Sequence, residues 1–234
     1  MKDTFYPLED NIGFIKYISH YGDENFIAEV ARASFNNFNS NKSKEDNIRL
    51  LKRLFNDRHT SPFEHCKITF LIKCPIFVAR QLFRHRTGNF NEQSGRYSVI
   101  QNEFYIPKKD RLNKQSKSNK QGSDDELIEN PEQYIDKYKT LLNQIYDFYE
   151  ESINNGLTRE LARTILPQST YTTFVWTVDL HNLANFIRLR ASKEAQYEIR
   201  QYTFAIIKML EVLYPNLAEL IKNQTDLYTL RLDF

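Results

Sequence analysis

Cysteine is nearly absent from this chain. Cys66 and Cys74 are the only two among 234 residues, and both fall in one alternating segment, so they read as small buried hydrophobes and not as a disulfide or metal framework. Glycine (6) and proline (7) are also scarce, which excludes collagen-like and Pro/Gly-rich low-complexity architectures. No apolar run approaches the roughly 18 residues of a membrane span, and Met1 to Tyr6 carry no apolar leader, so a soluble cytoplasmic protein is expected. Excess charge of one sign is missing as well. The 32 Lys and Arg against 30 Asp and Glu leave a net charge of +2, which argues against bulk attraction to nucleic acid or membranes. Aromatic residues are plentiful, with 17 Phe and 14 Tyr in a chain that is 41% hydrophobic. That content builds a core and excludes a disordered chain, and the length fits a single domain over 1–234.

Periodicity predicts an early amphipathic helix from Asp23 to about Phe38, and a second one capped by Ser43 with Ile48, Leu51, Leu54 and Phe55 inward. The clearest strand runs from Cys66 to Cys74, with Ile68, Phe70 and Ile72 in phase. Pro75 fits the first position of a helix that Gly88 ends, which puts Arg84, His85 and Arg86 in its last turn. The segment 108–130 loses periodicity and fills with Lys, Asn, Gln, Ser and Asp, the pattern of a mobile polar insertion. A long helix from Pro131 to about Gly156 follows, with Tyr134, Tyr138, Leu141, Leu142, Ile145 and Phe148 inward. Thr158 caps a short helix that Pro167 ends, and Thr170 to Val178 is the second strand. Asp179 and Ser192 are caps for two further helices, the latter reaching Tyr214-Pro215. The expected class is α+β, a mixed sheet packed by long helices.

Polar groups gather from Arg84 to Ser98, directly after the apolar helix. The planar forks of Arg84, Arg86 and Arg96, with Ser94 and the backbone of Gly95, suit a phosphate. Solvated arginines on a polar turn have the same composition. His85, flanked by two arginines, is expected neutral, and most such histidines are structural. Base stacking on Phe90 and Tyr97 in a nucleic-acid or nucleotide binding module is the competing reading. The stretch His59 to His65 lacks the helical H-E-x-x-H spacing of a zinc site and reads as a ligand-binding turn, so no metal is expected. On the helix after Asp179, spacing places His181, Asn185 and Arg188 on one face and Arg190 elsewhere. Arg163 stands on an otherwise apolar short helix.

Arg84-His85-Arg86, seven residues and then Ser94 resembles the R-H-R-x7-S signature of flavin-dependent thymidylate synthases. His59 to His65, Pro75 to Gln81, Glu103 to Pro107, Arg163 to Pro167 and Asn185 to Ala191 extend the likeness over most of 24–212. The resemblance implies a homotetramer with active sites between subunits and FAD as cofactor. It implies methylation of dUMP at C5 to dTMP, with methylenetetrahydrofolate as carbon donor, reduced flavin as hydride donor and NADPH as reductant, and no cysteine nucleophile. Matching positions imply dUMP contacts at Gln81, Leu82, Phe83, Arg84, Glu92, Gln93, Ser94, Gly95, Arg96, Arg163 and Arg190. They imply flavin contacts at Ser61, Arg84, His85, Arg86, Glu92, Asp179, Leu180, His181 and Asn185. Arg190 is the implied catalytic residue, stabilising the pyrimidine ionised at N3. His181 stands where relatives carry arginine.

Overall fold

The computed structural model describes residues 3–38, 42–117 and 122–225. In chain order the elements are β1 (Thr4–Phe5), β2 (Phe14–Tyr21), α1 (Glu24–Ala33), α2 (Lys44–Asn56), β3 (Lys67–Pro75), α3 (Ile76–Leu82) and β4 (Gly88–Glu92). A short ribbon, β5 (Asn113–Gln115) and β6 (Ser123–Leu127), precedes the long α4 (Pro131–Asn154) and the one-turn α5 (Arg159–Ala162). The chain ends with β7 (Tyr171–Asp179), α6 (Leu180–Arg190), α7 (Tyr197–Leu213) and α8 (Pro215–Gln224). Helices and a sheet share the chain, as the alternation of periods predicts, while β1 with β2 and β2 with β3 pair antiparallel where a mixed sheet is expected. None of the described helices is long and apolar enough to cross a membrane.

The chain packs as two compact units. The first comprises 1–73, 81–91 and 174–234, and the second 74–80 and 92–173. Five strands form a sheet in the order β1-β2-β3-β7-β4. β2 pairs antiparallel with β3, Phe14 opposite Lys73 and Tyr21 opposite Lys67, with a register shift between Tyr17 and Ser19. Ile68, Phe70 and Ile72 alternate inward as their spacing predicts, because side chains of a strand point to opposite faces in turn. In the first unit α7 is buried along most of its length, and the Tyr202 hydroxyl donates to the Lys73 carbonyl at 2.7 Å. A helix buried all round needs little amphipathicity.

α1 and α2 begin where the caps predict: Asp23 accepts from the Phe26 amide (2.8 Å) and Ser43 from that of Asp46 (3.1 Å). α1 stops at Ala33 and leaves Phe35 80% exposed, short of the predicted end. α7 begins at Tyr197, not after Ser192. Ser192 instead accepts from the Ala195 amide in a turn, and Arg200 donates to the Lys193 carbonyl at 3.1 Å.

In the second unit the core is Leu142, Tyr146 and Tyr149 of α4 with Phe104 and Ala162. The inward face of α4 is therefore shifted from the one expected. Tyr134, Leu141 and Phe148 are exposed, while Tyr138 is partly buried against the core. Two α4 hydroxyls clamp one residue: the Ile100 amide donates to Tyr149 (2.9 Å) and Tyr146 donates to the Ile100 carbonyl (3.0 Å). The segment expected as a mobile insertion contains the antiparallel ribbon β5-β6, tied by an ion pair from Lys114 to Glu126. Its charged strands have no apolar alternation to betray them. Residues 118–121 of that segment lie outside the described residues.

Candidate functional site

The first unit builds a cationic cavity of about 580 Å³ around the residues that follow α3. α3 ends at Leu82, so Arg84, His85 and Arg86 come after the helix and are not its last turn. Just past the helix end, Phe83 packs edge-on against Phe90 (4.8 Å) and Phe174 (5.0 Å). Gly88 opens β4 and is needed for close approach, since a Cβ there would stand 2.5 Å from the indole nitrogen of Trp176. Phe90 stacks on Trp176 with ring centroids 5.9 Å apart. Its ring is half-buried with one face engaged by Trp176, whereas Tyr97 is 82% exposed.

Arg190, at the last turn of α6, reaches back over 105 residues and donates from Nε to His85 Nε2 at 3.0 Å. A second donation runs from Nη2 to the Gln81 carbonyl at 3.3 Å. Accepting at Nε2 requires a neutral imidazole protonated at Nδ1. Burial, then the Arg190 charge, lowers the His85 pKa to about 4 and keeps the ring in that form. Phe186 closes one side of it, edge-on at 4.9 Å. Burial, then the neighbouring Arg84 charge, also lowers the Arg190 pKa. Arg84, Arg86 and Arg190 line the cavity with Asn182 and Asn185, and no carboxylate does. Like charges held together without a counterion mark a place for an anion.

α6 has a second face. Asp179 caps the helix, accepting from the amide of Asn182 (2.9 Å) and from its side chain (2.7 Å). His181, Asn185 and Arg188 line a smaller cavity of about 270 Å³ together with Arg58, Thr60 and the buried Leu180. The helical spacing of the sequence therefore separates Arg190 from the His181 face correctly, and Asn185 borders both cavities. Ser61 is exposed at the start of a 3-10 turn and borders neither.

The second unit gathers the other group. Glu92 accepts from the Thr172 hydroxyl at 2.6 Å, and the Gln93 amide donates to the Thr173 carbonyl at 2.9 Å. Ser94 organises a turn: its Oγ accepts from the Arg96 amide (3.3 Å) and its carbonyl from the Tyr97 amide (3.0 Å). Gly95 is buried, and a Cβ there would meet Ile100 Cδ1 at 2.6 Å and Arg163 Cδ at 3.1 Å. Arg163 thus lies against the Ser94–Arg96 turn, and Arg96 pairs with Glu160 at 3.0 Å.

Within each unit, residues far apart in sequence come together: Gln81, His85 and Arg190 in the first, and Gly95 with Arg163 in the second. Leu82 is fully buried, backbone included, and the Phe83 ring packs in an aromatic cluster, so Leu82 offers no accessible atom to a ligand. Sequence reading missed Asn182 and Leu189, although spacings of three and four from Asn185 place them on one α6 face. Arg58 carried no signal, lying in a left-handed turn (φ 58°) after α2. Cys66 and Cys74 are buried free thiols. Burial, then Asp23, pushes Cys66 up to about 12, and burial, then Glu92, pushes Cys74 well above the usual thiol range. Neither is a thiolate nucleophile.

A cationic cavity on an α+β scaffold suits a ligand that carries phosphate, and comparison with known proteins narrows the class. Residues 16–216 match the family described as "Thymidylate synthase complementing protein". The chain belongs to that family, whose curated relatives are flavin-dependent thymidylate synthases. It is 44% identical over 204 residues to the flavin-dependent thymidylate synthase of Wolbachia pipientis wMel, covering 87% of this chain and 71% of the relative. A Thermus thermophilus enzyme of the same name is 42% identical over 203 residues, covering 87% and 73%. Among solved structures, the UMP/dUMP methylase PolB from Streptomyces cacaoi bound with 5-Br dUMP superposes with a TM-score of 0.81 at 28% identity, covering 89% and 94%.

Proposed function

We propose that this chain is an FAD-dependent thymidylate synthase that methylates dUMP to dTMP, with methylenetetrahydrofolate as carbon donor and NADPH as reductant. The observation that carries the reading is Arg190, held by neutral His85 and the Gln81 carbonyl at a cavity whose charges are all positive. With Nε and Nη2 engaged, the guanidinium is held in place, and Nη1 would be the group that meets a ligand. A fixed cation beside a pyrimidine stabilises the anion formed when N3 loses its proton, which enriches C5 in electron density. Arg190 is the catalytic residue of this proposal. His85 and the Gln81 carbonyl position it.

The donor set fits FAD and dUMP, because guanidinium and amide groups suit a diphosphate and a nucleotide phosphate. Arg84, His85 and Arg86 would hold the flavin with Ser61, Glu92, Leu180, His181 and Asn185. Asp179, whose carboxylate is occupied in capping α6, would contribute through its backbone. dUMP would be held by Gln81, Phe83, Arg84, Glu92 to Arg96, Arg163 and Arg190, with the buried Leu82 packing behind them. Bound reduced flavin supplies the hydride that completes the methyl group. Buried, protonated Cys66 and Cys74 leave no role for a thiol adduct at dUMP. The working particle is a homotetramer in the cytoplasm.

Purified protein is expected to carry a flavin absorption band, to release FAD identified by mass, and to convert dUMP to dTMP with methylenetetrahydrofolate and NADPH. A colourless protein that makes no dTMP after incubation with FAD would overturn the proposal.

A further inference from the structure

α4 carries two apolar stripes: one is buried inside the chain, and the other is largely exposed, only Tyr138 of it packing against the core. Leu142, Tyr146 and Tyr149 face the core of the second unit. A separate row, Tyr134, Tyr138, Leu141, Ile145, Phe148 and Ser152, repeats at alternating intervals of four and three residues, the seam spacing of paired helices. Tyr134 and Leu141 are each 47% exposed and Phe148 55%, while Tyr138 and Ile145 are half-buried where the seam borders the core. The Tyr134 and Tyr138 rings already stack, at 6.1 Å and 13°. Large apolar side chains at this spacing are expensive to leave in water.

Charge indicates what covers the seam. On its inward flank Leu142 and Tyr149 belong to the core and Ile135 is half-buried, so one flank remains open, lined by Lys137, Gln144 and Glu151 at successive intervals of seven. All three are exposed, and neither Lys137 nor Glu151 has an ion-pair partner among the described residues. That flank is palindromic in charge about Gln144. Two copies of α4 laid antiparallel about a two-fold axis through this point would set Lys137 of each opposite Glu151 of the other. The layers would be Leu141 on Ile145, Tyr138 on Phe148, and Tyr134 on the small Ser152. Parallel alignment matches none of these pairs and aligns the helix dipoles unfavourably.

We propose that the exposed face of α4 docks against α4 of a second copy of this chain, antiparallel and two-fold, with reciprocal Lys137–Glu151 pairs fixing its register. The contact is isologous, with the same patch on both partners. The inference deepens the self-association proposed above and is independent of the chemistry.

The test places one thiol beside the axis. Gln144→Cys treated with a short bis-maleimide is expected to give a covalent dimer, while the wild type, its two thiols buried, gives none. In that background Lys137→Glu or Glu151→Lys alone should lower cross-linking about tenfold by opposing like charges. The double variant Lys137→Glu/Glu151→Lys should restore it. Co-expressed single variants should cross-link to each other in preference to themselves. Thermal melts of the variants, all at exposed positions, check that the fold is kept. A monomeric wild type by light scattering would overturn the self-association itself. An oligomer in which Gln144→Cys fails to cross-link, or in which charge reversal changes nothing, would overturn only the α4 contact.

Discussion

The two units hold their guanidinium groups by different means. In the first unit Arg190 is held by a side chain 105 residues away, and that side chain is fixed by burial against Phe186. In the second, the Ser94–Arg96 turn holds itself through local backbone bonds, and Tyr146 and Tyr149 clamp its exit at Ile100. The first arrangement is rigid and keeps its like charges close at an electrostatic cost, which suits a group that stabilises developing charge. The second is a locally bonded turn, which under the proposed function would need only to close around a phosphate.

Arg190→Ala gives the sharpest test of that contrast. It should lower dTMP formation by about a thousandfold, the scale of removing a charge-stabilising donor, with an unchanged far-ultraviolet circular dichroism spectrum. Wild-type turnover would remove Arg190 from the chemistry. Ser94→Ala and Gly95→Ala probe the turn and should act on dUMP. Each should raise KM by about tenfold with smaller change in kcat, as loss of uniform binding does. Complete loss of kcat in Ser94→Ala with dUMP affinity preserved would instead make Ser94 a nucleophile.

His85 sets a pH window. Its folded pKa, about 4, lies below the ordinary histidine value of 6.5, so the unfolded chain binds the extra proton between the two. Stability is therefore full above pH 6.5, falls as the pH drops towards 4, and loses nothing more from this group below that. Because the ring is partly exposed, the loss should be about 1–2 kcal/mol. His85→Gln, which can still accept from Arg190, should flatten that part of a denaturant-midpoint profile measured against pH. The smallest effect is expected from Tyr149→Phe, about 1 kcal/mol for one buried hydrogen bond to the Ile100 amide.

The same contrast explains what was legible in the sequence. The Ser94 turn is a local pattern and could be read residue by residue. The separation of Arg190 from His181, Asn185 and Arg188 followed from helical spacing alone. The Arg190–His85 pair could not be derived that way, because no periodicity links positions joined only by the fold; the family signature pointed to both residues without showing their contact. α3 ends at Leu82, before the aromatic contacts of Phe83 that no local pattern reveals, and strand β4 is concealed within a polar stretch. On α4 two stripes overlap, and hydropathy could not tell which one faces inward.

Trp176, the single tryptophan, lies at the centre of the first unit between Phe70, Phe90 and Phe186, with its indole nitrogen against the Gly88 backbone and no hydrogen-bond partner. Its emission is consequently a one-residue optical signal, blue-shifted by its dry surroundings. Energy transfer to a yellow chromophore at the neighbouring cavity would quench it, so loading can be followed in an ordinary fluorimeter without labels.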